Sequence, residues 1–150
     1  MFSWFGKVNF SPYTKVDEFA QFLKDGRLMG SHCRRCGYRT FPPRADCPEC
    51  LSGDFEYIEY SGKGTLYTHT RIQAAPSGFE DLGPYDIGVV DLEGGGRLLA
   101  WFGETMPPEE IQIGMKVQVV PRIFEELEKI KIYYVLEKPG TKWVKPPSSA

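Results

Sequence analysis

Apolar positions recur at helical spacing near the start of the chain. In "TKVDEFAQFLKDG", Val16, Phe19, Ala20, Phe22 and Leu23 fall on one face. The spacing predicts an amphipathic helix capped by Thr14, with Asp17 at the positive end of its dipole and Gly26 as its stop. Such a helix covers a hydrophobic surface, its own or a partner's. Further on, the pattern changes to β-rich runs broken by glycine. "FEYIEYSGKGTLYTHTRIQ" is interrupted at Ser61 to Gly64. Strict alternation along Thr65 to Gln73 turns Leu66 and Ile72 one way and Tyr67, His69 and Arg71 the other. "YDIGVVDLEGGGRLLAWFG" reads as a hairpin around Gly94 to Gly96. "PPEEIQIG" suits one helical turn, opened by prolines and ended by Gly114. "MKVQVVPRIF" and "KIKIYYVLE" are the last strands, and "KPGTKWVKPPSSA" is a proline- and serine-rich tail.

The expected fold is mainly β. It has an N-terminal helix, a metal ribbon, and five strands with a helical turn between the third and fourth. That order suits a small five-stranded barrel of the oligonucleotide/oligosaccharide-binding (OB) type. The expected divisions are 1–30 for the N-terminal extension and helix, 31–52 for the ribbon, 53–138 for the barrel domain and 139–150 for a flexible tail. No repeat is visible.

All the cysteines lie in "CRRCGYRTFPPRADCPEC". Cys33, Cys36, Cys47 and Cys50 have the spacing C-x2-C-x10-C-x2-C. Each pair places two sulfurs on one tight turn, and two such turns complete a tetrahedron that suits Zn2+. Gly37 follows the first pair, where positive φ is needed, and Pro48 stiffens the second. In a reducing compartment this pattern points to metal rather than disulfides. Four thiolates leave no open coordination position, so the zinc is structural. His32 adjoins a ligand set that is already complete.

No P-loop, GxGxxG, GxSxG or HExxH is present, and the two histidines lack a partner in the sequence. Asp81, Asp86, Asp91 and Glu104 are scattered and read as surface or turn residues. What remains suits binding. From Arg27 to Arg44 there are five arginines and no acid. Arg34, Arg35, Arg39, Arg44 and Arg71, with Tyr67 and His69, are candidates for the phosphates and adenine of a nucleotide-like cofactor. The alternative role for the arginines is to offset the charge of the zinc thiolates.

Composition narrows the partners. The 150 residues carry a net charge of -2, which argues against a general nucleic-acid binder. No apolar run approaches the roughly 20 residues that span a bilayer. "MFSWFGKVNF" lacks a charged leader region and a cleavage site, so the expected location is the cytoplasm. Its Phe2, Trp4, Phe5 and Phe10 call for burial, on the protein's own core or on a partner.

Taken together, the pieces resemble the acyl-CoA-associated zinc-ribbon and OB-fold family, first catalogued as domain of unknown function thirty-five. The matching segments are the leading helix, "GRLMGSHCRRCGYRTFPPRADCPEC", "SGKGTLYTHTRI", "PYDIGVVDLEGGGRLLAWF" and "IQIGMKVQVVPRIF". The resemblance implies a rubredoxin-like ribbon beside the barrel and a thiolase-fold catalytic partner in a hetero-oligomer. It implies no catalytic residues in this chain, because the thiolase supplies the nucleophilic cysteine. Coenzyme A or an acyl-CoA would be shared with that partner. Among the family's settings, the chain looks most like the small subunit of a thiolase that cleaves benzoylsuccinyl-CoA in anaerobic toluene degradation. Two other readings are a nucleic-acid-binding ribbon and barrel module, and a rubredoxin-like iron carrier, which would be coloured.

Overall fold

The computed structural model describes residues 14–74, 84–124 and 131–144. The aromatic N-terminal stretch and the end of the tail lie outside them. The first helix is shorter than its periodicity predicts. Thr14 holds a turn, its hydroxyl accepting from the Val16 N–H at 3.4 Å and its carbonyl from Asp17 at 3.3 Å. α1 itself is Phe19–Lys24. The expected apolar face is nevertheless in place. Val16, Phe19, Ala20 and Leu23 are buried, and Phe22 packs edge-on against Tyr57 at 5.0 Å. Gly26 ends the helix at φ 77°, with the Arg27 N–H reaching back to the Phe22 carbonyl at 2.8 Å.

Three strands build the ribbon sheet in the order β2-β1-β3: β1 Met29–Cys33, β2 Arg39–Thr40 and β3 Phe55–Glu59. β3 falls within the stretch expected to start the barrel. It pairs instead along all of β1, from Met29↔Glu59 to Cys33↔Phe55. Gly30 is the close-approach point of this sheet. A Cβ there would lie 2.4 Å from the Tyr60 ring and 2.5 Å from the Thr40 carbonyl.

The other five strands are β4 Lys63–Ile72, β5 Tyr85–Leu92, β6 Arg97–Phe102, β7 Lys116–Phe124 and β8 Lys131–Glu137. They close in the order β4-β5-β6-β8-β7. Closure comes from a parallel contact of two residue pairs, Trp101↔Val135 and Phe102↔Leu136. All five are the strands expected from the sequence, and the predicted turn between the third and fourth is a 3-10 turn, Pro108–Glu110. Leu66, Val90, Leu98, Val117, Val119, Ile132 and Leu136 fill the interior. Each such side chain contributes about 1.5–3 kcal/mol on burial.

The core continues into the ribbon, so the two modules share it. Phe41 of the ribbon packs against Phe19, Tyr60 and Tyr134 at 5.7, 5.7 and 5.4 Å. The β5–β6 turn also rests on the ribbon. Gly96 has φ 94°, and a Cβ on it would lie 3.1 Å from the Phe41 N. Among the described residues, no helix is long and apolar enough to cross a membrane.

Candidate metal centre and its surroundings

The two cysteine turns are built alike. In the first, the Gly37 N–H donates to the Cys33 carbonyl at 2.9 Å, and the Cys33 N–H to Tyr38 at 2.8 Å. In the second, the Leu51 N–H donates to the Cys47 carbonyl at 2.9 Å, and the Cys47 N–H to Ser52 at 2.9 Å. Four residues after its first cysteine, each turn passes through positive φ: Gly37 at 78° and Leu51 at 58°. Glycine takes this conformation freely, whereas leucine is strained by its Cβ. Leu51 was not singled out from the sequence. The matched position, four after Cys47, is the signal that identifies it.

The four sulfurs lie within 4.8 Å of one another. Cys33 and Cys50 approach to 3.6 Å, and Cys36 and Cys47 to 3.5 Å. A tetrahedron with Zn–S bonds of about 2.3 Å has edges of about 3.8 Å. The set therefore fits zinc, which Cys33, Cys36, Cys47 and Cys50 would hold. Cys33 and Cys47 are buried, and Cys36 faces solvent. The Cys36 backbone N–H draws the Cys33 thiol down to about 7, against the opposing effect of burial. At Cys36 the Tyr38 N–H favours the thiolate, yet burial and the other three sulfurs push the thiol up to about 12. A divalent cation at the centre removes this crowding. His32 is not drawn into the set: its Nδ1 lies 2.9 Å from Glu56, its cross-strand neighbour. That hydrogen bond, with Arg34 nearby, holds the Glu56 carboxyl below its ordinary value.

The candidate phosphate-binding arginines divide by what they touch. Arg34 lies 3.5 Å from both Asp54 and Glu56, and Arg71 lies 3.3 Å from Asp86. Arg35, Arg39 and Arg44 are exposed, with no carboxylate within ion-pair distance among the described residues.

The strand carrying Tyr67, His69 and Arg71 departs from simple alternation. A bulge lies between Leu66 and Thr68, so Tyr67 is the extra residue. Leu66 points inward. Tyr67 and Thr68 both face outward, and His69 lies on the side of its partner Gly88, which faces the core. Ile72 is thereby turned outward, opposite to Leu66. The expected shared face of Tyr67, His69 and Arg71 is divided. Tyr67 is stacked under Arg97, whose guanidinium lies 3.8 Å over the ring. The Nδ1 of His69 is buried, without a hydrogen-bond partner among the described residues. β4 meets the ribbon side of the barrel at Lys63, while Arg71 lies eight residues along, about 26 Å at strand rise. Arg71 and His69 are thus not brought together with the ribbon arginines.

One buried charge escaped the sequence reading. Glu137 is fully buried on β8. Its carboxylate accepts from the Thr105 N–H at 2.9 Å, from the Thr105 hydroxyl, and from Arg122 at 2.5 Å. Gly103 makes room for it, since a Cβ there would meet the carboxylate at 2.1 Å. The cluster ties the segment after β6 to β8, beside the two-pair closure of the barrel. Nothing local in "VLEKPG" marks Glu137, because its partners come from two other segments.

Comparison with known proteins covers the same two modules. Residues 20–56 match the family model of the ChsH2 rubredoxin-like zinc ribbon domain, and residues 57–122 that of the ChsH2 C-terminal OB-fold domain. A DUF35 domain-containing scaffold protein of Methanocaldococcus jannaschii is 40% identical over 100 residues, 66% of this chain and 70% of the relative. The benzoylsuccinyl-CoA thiolase subunit BbsA of Thauera aromatica is 34% identical over 103 residues, 63% of this chain and 70% of that subunit. Among solved structures, a chain of an Ltp2-ChsH2(DUF35) aldolase matches with a TM-score of 0.66 at 26% identity, covering 86% of this chain and 98% of its own. Ribbon, barrel and ligand cysteines agree with these likenesses, and the chain belongs to the DUF35 family of zinc-ribbon and OB-fold proteins.

Proposed function

We propose that this chain is the zinc-containing, non-catalytic subunit of a cytoplasmic thiolase complex. The complex cleaves a β-ketoacyl-CoA with CoA, and benzoylsuccinyl-CoA, giving benzoyl-CoA and succinyl-CoA, is the proposed substrate. The observation that carries this is the 34% identity to a benzoylsuccinyl-CoA thiolase subunit. A match to an aldolase assembly and relatives named as scaffold proteins support the subunit role.

In this reading the four cysteines form a closed ligand set and act as a scaffold. The catalytic partner supplies the nucleophilic cysteine and carries out the carbon–carbon cleavage. This chain stabilises the complex and offers cations to the CoA phosphates. Their exposure and freedom from carboxylates among the described residues support Arg35, Arg39 and Arg44 in that role. Arg34 and Arg71 would have to leave their carboxylates first.

The test is a thiolase assay of the catalytic subunit with and without this chain, using benzoylsuccinyl-CoA and CoA. Adding the chain raises activity and lowers the KM for CoA. Replacing Arg35, Arg39 and Arg44 by Gln raises that KM about tenfold or more, since a charge-assisted hydrogen bond contributes about 1.5–3 kcal/mol. Unchanged activity and CoA affinity on leaving the chain out would refute the proposal.

A further inference from the structure

The β5–β6 turn is shaped by what it lies against. Gly94, Gly95 and Gly96 all have positive φ, at 98°, 98° and 94°. Three glycines in a row have little shape of their own, because glycine has the most backbone freedom to lose. Within the turn, the Gly95 N–H donates to the Leu92 carbonyl at 3.2 Å, and the Leu92 N–H to the Gly96 carbonyl at 3.0 Å. The rest of the hold comes from outside. A Cβ on Gly94 would lie 3.5 Å from the Tyr60 ring, and one on Gly95 3.8 Å from the Arg39 Cβ. One on Gly96 would lie 3.1 Å from the Phe41 N and 3.5 Å from the Thr40 Cα. The turn therefore lies along β2 and the residue after it.

β2 has little hold of its own. It is a two-residue edge strand, paired to β1 through Ser31↔Thr40 and His32↔Arg39. It starts directly after the first cysteine turn, whose Cys33 N–H donates to the Tyr38 carbonyl at 2.8 Å. Beyond it, the Arg44 N–H donates to the Ser31 hydroxyl at 3.0 Å, and the chain then reaches Cys47. The segment under the turn thus runs from one pair of ligand sulfurs to the other. Zinc fixes both of its ends, and in a ribbon of this kind metal binding and folding are one process.

We propose that the Gly94–Gly96 turn is a clamp on β2 that couples the barrel to the metal. Zinc in the ribbon orders the turn, and the seated turn raises the affinity for zinc. The two effects are equal in size, since a coupling free energy acts in both directions. Arg39, Thr40 and Phe41 are the shared part, lying under the turn and between the two ligand pairs. The coupling belongs to this chain alone and goes beyond the subunit reading.

The test compares two glycine variants. Gly96→Ala sets a methyl group against the Phe41 N. Gly114→Ala is the control: its φ of 87° brings similar backbone strain, with nothing within 4 Å of the new Cβ. Competition with a chelator should show zinc held about fivefold or more less tightly by Gly96→Ala, and within about twofold of wild type by Gly114→Ala. Amide hydrogen exchange of the wild-type chain, with zinc and after its removal by chelator, reads the coupling from the other side without any variant. Zinc removal should speed exchange at the Leu92 and Gly95 amides about tenfold or more, while β7 and β8 keep their protection. Equal zinc affinity in the two variants, or unchanged exchange in the turn, overturns the coupling. Loss of protection along β7 and β8 as well overturns the clamp, because zinc would then hold the whole fold rather than the turn.

Discussion

The ligand cysteines show how much a single residue decides. Cys33→Ser or Cys47→Ser removes a buried ligand, and zinc binding on the order of 10–16 kcal/mol is coupled to folding of such a ribbon. Metal analysis should find zinc lost and the ribbon signals of a two-dimensional NMR spectrum collapsed. A zinc-free variant with native circular dichroism and melting contradicts the structural role. Acid acts in the same direction. Protons compete with the metal for four thiolates, so zinc affinity falls as pH drops below neutrality, and a chelator titration across pH reads it. Leu51 offers the opposite sign. Relief of left-handed strain of about 1–2 kcal/mol outweighs the roughly 0.4–1 kcal/mol of added unfolded-chain freedom. Leu51→Gly should therefore stabilise the ribbon by up to about 1 kcal/mol and raise its melting temperature. At Glu137 the loss is larger. Glu137→Ala leaves Arg122 and Thr105 unpaired at the barrel closure, and denaturant unfolding should show a loss of about 3–5 kcal/mol. The cysteines were legible because ligand spacing is local chemistry, while Glu137 depends on segments 15 to 34 positions away.

At the scale of elements, the sequence announced strands and turns better than their partners. Alternating apolar residues and the Gly94–Gly96 turn marked the β5–β6 hairpin. Nothing in "FEYIE" told that it would pair with β1, since that choice lies in a register set 26 residues away. Likewise the bulge at Tyr67 is set by pairing with β5, and it turned Tyr67 away from His69. Ahead of α1 the Thr14 and Val16 carbonyls accept from the Asp17 and Phe19 N–H groups in separate turns, so the helix is short, while the buried face that periodicity predicts is kept. Gly30 tests the packing of elements. Gly30→Ala forces Tyr60 and β2 away from β1, and the expected cost is about 1–3 kcal/mol by denaturant unfolding. An unchanged midpoint contradicts the close approach seen here.

Across the whole molecule, ribbon and barrel are joined by Phe41, Phe19, Tyr60 and Tyr134, and by the β5–β6 turn seated on the ribbon. The metal thus supports more than its own loop. The central claim is that this chain works as a zinc-bearing subunit of a thiolase-type complex. The most direct measurement is native mass spectrometry of the tagged chain isolated from its own host, with metal analysis of the same sample. The account predicts a hetero-oligomer with a thiolase-type chain in fixed ratio and one zinc per copy of this protein. A lone protein, or a complex whose copies of this chain carry no zinc, contradicts it.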